Sequence, residues 1–155
     1  MAEFYNQDKN KILDIDDEDK DYINTVLKPL LEKNLMEKVR KKIIEDRKWG
    51  VQLFLLVALG EDQYFFNSKK ILNEEFKDYR LVSFTIPNTI TTIGERAFSG
   101  TRLESIEIPD SVTKIGDRAF WGMNMSTIKI PKRLKSRMKD IFTPMCLENS
   151  IILYT

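Results

Sequence analysis

Residues 83–103 read SFTIPNTITTIGERAFSGTRL, and residues 105–125 read SIEIPDSVTKIGDRAFWGMNM. Laid one over the other, they agree at an interval of 22 residues. Ile86-Pro87 falls on Ile108-Pro109, Ile90 on Val112, Ile93-Gly94 on Ile115-Gly116, Ala97-Phe98 on Ala119-Phe120 and Gly100 on Gly122. The interval persists outside this pair. Phenylalanine recurs at Phe76, Phe98, Phe120 and Phe142, and the Ile-Pro pair returns at Ile130-Pro131. Leu81, Leu103, Met125 and Leu147 keep the same spacing. A fixed period of this length is the signature of stacked repeats.

Each step of the unit has a physical reading. In SIEI, Ile106 and Ile108 alternate with Ser105 and Glu107, the period of a strand with one buried face. Proline then ends the ladder, having no N–H to donate. Val112 and Ile115 turn inward. Gly94 and Gly116 are expected to permit a backbone turn that other residues resist. Ala and Phe pack inward after them, so the phenylalanines of successive units form a spine. One such unit cannot bury its own apolar face, and neighbouring units must cover it.

Residues 103–120, LESIEIPDSVTKIGDRAF, resemble the BspA-type (Treponema-type) leucine-rich repeat almost position for position. That family's unit runs Leu-x-x-Ile-x-Ile-Pro, then Ser-Val-x-x-Ile-Gly, then x-x-Ala-Phe. Residues 81–98, LVSFTIPNTITTIGERAF, match with Phe84 in place of one Ile. The resemblance implies a right-handed or near-planar solenoid with a parallel strand ladder. It also implies a role in recognising other proteins.

The flanks are less regular. The third unit opens as IKIPKRL and loses the Ile-Gly turn to Arg137-Met138. KRLKSRMKDIF reads as a helical replacement for that turn, and SIILYT reads as a closing strand, with Ile152 in register with Ile130. Gln63 to Phe66 are expected to supply an irregular first strand. Further upstream, acids from Asp14 to Asp21 crowd a helix start. An apolar stripe follows at Ile23, Leu27, Leu30, Leu31 and Leu35, with Pro29 expected to kink or divide the helix. Val39 and Ile43 carry the stripe into a basic second helix, and Gly50 is expected to break the chain. VQLFLLVAL is apolar nearly all round and reads as a buried helix or inner strand, with its leucines and alanine favouring helix. The expectation is an α+β chain. Residues 1–61 form a helical N-terminal cap, and residues 62–155 form a leucine-rich-repeat solenoid with degenerate first and last repeats.

Composition narrows the chemistry. The chain has 155 residues, 42% hydrophobic, enough for a packed core. It has no histidine and one cysteine, Cys146, so His-based triads and His- or thiolate-ligated zinc sites are excluded. Cys146, lacking a histidine to activate it, reads as an inert thiol. From Asp14, a calcium loop would need Gly and Glu where Asp19 and Thr25 stand. No metal or cofactor is expected. The net charge of +1 sets up no overall field toward nucleic acid or membrane. The N-terminus lacks a basic start followed by an apolar run, and the longest apolar run is far short of the ~20 residues that span a bilayer. The expected location is cytoplasmic.

Candidate contact residues follow from the repeat. Outward strand positions form two rows, Ser83, Ser105, Thr127 and Thr85, Glu107, Lys129, on one face. They read either as a partner-binding surface or as a soluble face with a Glu107–Lys129 pair. Trp121 and Met123 stand where the preceding unit has Ser99 and Thr101. They read as a binding hot spot or as packing. The stretch Lys129, Lys132, Arg133, Lys135, Arg137 and Lys139, like Lys38, Arg40, Lys41, Lys42, Arg47 and Lys48, could meet phosphate or reads as solvated surface. The function expected is a non-catalytic protein-recognition module that binds another protein. The alternative is a small intracellular inhibitor, of the kind phages encode against host defences, that blocks a nuclease or other enzyme by mimicry or occlusion.

Overall fold

The computed structural model describes residues 15–79 and 81–155, with the backbone of two short antiparallel strands, β1 (Phe4–Tyr5) and β2 (Ile12–Leu13). The chain separates into two compact units, Met1–Ser68 and Lys69–Thr155. The division therefore falls after Ser68.

Described residues of the first unit are mostly helical. Helix α1 (Asp17–Tyr22) starts on Asp16, whose Oδ1 accepts the Asp19 N–H at 2.8 Å. The acids that follow lie in its first turn, where the helix dipole favours them. Asp14, at the head of the acidic run, lies outside the described residues. A π-helical turn (Ile23–Leu27) joins α1 to α2 (Lys28–Glu32). Pro29 is the physical reason: it lacks the N–H that would continue the ladder, and the Lys28 N–H reaches back to the Ile23 carbonyl. Proline thus reshapes this helix without ending it.

Helix α3 (Met36–Glu45) buries Met36, Val39 and Ile43. The Tyr22 hydroxyl donates to Asp46 Oδ2 at 2.8 Å, and that bond holds the Asp46 carboxyl below its ordinary range. Arg40 departs from the expected basic surface. It is fully buried, its guanidinium 4.3 Å from the Phe65 ring centroid. Helix α4 (Trp49–Tyr64), kinked at Gly60 where φ is 80°, contains the whole of VQLFLLVAL ahead of the kink and buries Val51, Phe54, Leu55 and Leu56. Gly50 does not break the chain, for it lies in the first turn of α4. The break precedes it, where Arg47 takes φ 54°. Gln63 to Phe66 form no strand either: they end α4 and enter a turn.

The second unit carries two parallel ladders. One joins β3 (Lys70–Ile71), β4 (Thr92–Ile93) and β6 (Lys114–Ile115) in that order. The other joins β5 (Ser105–Glu107), β7 (Thr127–Ile130) and β8 (Ile151–Tyr154). Ile71, Ile93 and Ile115 are register partners, as are Ser105 and Thr127, so the sequence interval is the structural one. Inside, the rings of Phe76, Phe98, Phe120 and Phe142 stack with successive centroids 5.2, 5.0 and 5.5 Å apart. All four are fully buried. The backbone repeats beside them. The N–H groups of Phe76, Phe98 and Phe120 donate to the carbonyls of Ala97, Ala119 and Ile141 at 2.8, 2.7 and 3.1 Å.

The glycines divide their roles differently from the expectation. Gly100 and Gly122 take positive φ, 74° and 79°, and make the turns. Gly94 and Gly116 do not, and what demands glycine there is proximity. A Cβ on Gly116 would sit 2.4 Å from the Glu95 backbone nitrogen, and one on Gly94 would sit 2.5 Å from that of Asn73. Neighbouring coils approach too closely for any side chain.

The last coil is modified. KRLKSRMKDIF forms a 3-10 helix (Lys132–Arg137) and a short helix α5 (Met138–Ile141). Arg137 stands where earlier coils have Ile, and its guanidinium donates to the Ile115 carbonyl at 2.9 Å. A side chain thus supplies the donor that the backbone of Gly116 supplies to Ile93 one coil earlier. Helix α6 (Pro144–Asn149) precedes β8 and shifts the register. Ile130 pairs with Tyr154 and Ile128 with Ile152, two residues later than the repeat interval expects. With the same shift, Cys146 is fully buried and Leu147 only partly so.

Replacing Phe120 with Ala should lower unfolding stability by about 3–5 kcal/mol in chemical denaturation, as for a buried aromatic. Gly116→Ala should cost more than about 1 kcal/mol in the same measurement, because a methyl there meets backbone that cannot rotate away. A neutral result at either position would contradict the close stacking.

Candidate functional site

Strands β5 and β7 fix the candidate surface. Side chains alternate along each, so Ile106, Ile128 and Ile130 go inward while Ser105, Glu107, Thr127 and Lys129 face out. The ladder aligns Ser105 with Thr127 and Glu107 with Lys129. Lys129 Nζ lies 3.3 Å from Glu107 Oε1, both side chains well exposed. Such a pair contributes about 0–1 kcal/mol and opens readily to a competing partner.

The rows extend upstream in a changed form. Ser83 and Thr85 are exposed while Phe84 and Ile86 are buried, so the outward alternation holds. The segment is nevertheless not a strand. Hydrogen bonds join the two coils at Arg102 N–H to Leu81 O and Glu104 N–H to Val82 O, 3.0 and 3.2 Å. Phe84 stands where later coils have Ile, and its ring rests on Phe76 and Phe98, 5.1 and 5.2 Å between centroids. A cleft of about 380 Å³ lies between this segment and β5, lined by Ser83 and Thr85 and by Ser105 and Glu107.

Downstream the face continues onto β8. The two-residue shift puts Ile151 beside Thr127 and Leu153 beside Lys129. Their side chains are 65% and 49% exposed, which makes the end of an otherwise polar face apolar. The alternation within SIILYT was the signal for them, once the longer last coil is allowed for.

Trp121 and Met123 are not on this face. They follow Phe120 in the turn that leads back toward the strand. Trp121 is half-buried, with the Arg118 guanidinium 5.4 Å from its ring centroid. Met123 is buried, and its sulfur accepts from the Thr101 hydroxyl at 3.5 Å. Six of the eight candidate residues are therefore brought together and two are not.

The basic stretch is partly committed to the fold. Arg133 donates to the carbonyls of Asp110 and Val112, and Arg137 pairs with Asp117 and Asp140 at 2.8 Å each. Cys146, besides being buried, has its Sγ 3.6 Å from Ser150 Oγ. Among the described residues no helix is long and apolar enough to cross a membrane.

No curated protein and no solved structure matches the chain. The sequence pattern described as BspA type leucine rich repeat region (6 copies) matches residues 69–154, more than half of the 155 and nearly all of the second unit. With parallel ladders repeating at its interval and a stacked phenylalanine in each coil, the chain belongs to the BspA-type leucine-rich repeat family.

Proposed function

We propose that this chain is a non-catalytic protein-recognition module, a short solenoid whose partner docks on the outward face of β5, β7 and β8. The observation that carries the reading is the exposure of Ile151 and Leu153 at the end of the polar rows. Adjacent exposed aliphatics flanked by serine, threonine and a salt-linked Glu107–Lys129 pair have the composition of an interface, with an apolar anchor and a polar rim. The cleft between Ser83–Thr85 and Ser105–Glu107 can accept one projecting side chain of the partner. Membership of a repeat family built for recognition supports the same reading. The absence of histidine removes the commonest general base from any catalytic alternative.

The test is affinity purification from the native cell, followed by binding measurements between the two purified proteins. The expected outcome is one partner held by the unaltered chain and lost by about tenfold or more in an Ile151→Glu/Leu153→Glu variant with an unchanged circular dichroism spectrum. Equal retention by that variant would rule out this face.

A further inference from the structure

Strand β8 has one neighbour, β7, among the described residues. The Ile151 N–H donates to the Ser126 carbonyl at 2.8 Å and the Thr155 N–H to the Ile130 carbonyl at 3.0 Å. By the two-residue period of a strand, the amides of Ile152 and Tyr154 point to the other edge, where a further strand can pair.

The two faces of β8 differ chemically. One carries the exposed aliphatics Ile151 and Leu153. The other lines a groove of about 750 Å³, with Leu147, Ile152 and Tyr154 as its apolar part and Lys132, Lys135 and Lys139 among its rim. The Lys135 ammonium lies 5.2 Å from the Tyr154 ring centroid. Lys132 and Lys139 are exposed, and among the described residues neither has a carboxylate within ion-pair distance. Asp140 pairs with Arg137 and Asp110 with Arg133.

We infer that the free edge of β8 takes an extended peptide segment in which acidic residues alternate with apolar ones. Pairing with the edge supplies backbone hydrogen bonds. The alternation then sends acidic side chains toward Lys132 and Lys139 and apolar side chains beside Ile151 and Leu153, so one sequence pattern satisfies both faces. Nucleic acid fits less well. The one aromatic ring in the groove is already faced by a lysine, and a phosphate backbone has no use for the aliphatic side.

The probe is a short fluorescein-labelled peptide of alternating glutamate and valine, titrated with the full chain and followed by fluorescence anisotropy. Affinity should fall about tenfold in a Lys132→Glu/Lys139→Glu variant and weaken as salt rises. It should also be lost when alternate peptide amides are N-methylated, an arm that leaves the protein unaltered. Four results would overturn the inference: no binding, equal binding to the double variant, equal binding of a lysine–valine peptide, or binding of oligothymidylate in place of the acidic peptide. The two lysines lie off the outward strand face, so failure here and failure of the recognition reading are separate results.

Discussion

The second unit depends on one constraint: a 22-residue coil has more apolar surface than it can cover, and only the next coil can cover it. The phenylalanine stack is where this is most concentrated. Each ring lies flat on the ring one coil away, with Phe98 and Phe120 within 3° of parallel. Such a contact adds about 0.5–1.5 kcal/mol beyond the burial of the rings themselves. The backbone bonds from Phe76, Phe98 and Phe120 to the alanine or isoleucine carbonyl of the next coil hold the same spacing. Ring stack and ladder enforce one register, and that register explains why Gly94 and Gly116 have no room for a side chain.

Because inward positions are committed to neighbouring coils, outward positions are left to vary. Polar rows at Ser105–Thr127 and Glu107–Lys129 cost the fold little, and the chain can carry aliphatics at Ile151 and Leu153 on the same face. Where the regular coil ends, the fold still answers for its backbone groups. Arg137 covers the Ile115 carbonyl, and Arg133 covers those of Asp110 and Val112. Two arginines that look like a surface for phosphate are thus structural cations.

The repeat and the burial of its alternate residues were legible because periodicity reports burial directly. So were the four phenylalanines, the helical replacement at Lys132–Ile141 and the helix at VQLFLLVAL. What escaped depended on contacts across space or on added length. Arg40 reads as one of a run of surface cations until Phe65 is seen against it. Gly94 and Gly116 look like turn residues until the neighbouring backbone is placed. Phe84 keeps the hydrophobicity of its position but not the size, and the segment around it, with its ring on Phe76 and Phe98, is not a strand. Helix α6 moves Ile151 from beside Lys129 to beside Thr127 and brings Leu153 to Lys129, a shift that a fixed interval cannot express.

The most direct measurement is a nuclear Overhauser experiment on protein carrying protonated phenylalanine rings in an otherwise deuterated background. Stacking at 5.0 Å between the ring centroids of Phe98 and Phe120 predicts strong ring-to-ring cross-peaks for that pair, and likewise for Phe120 with Phe142. Assigned ring signals with no cross-peaks between these neighbours would contradict the stack, and with it the account of the fold and its outward face.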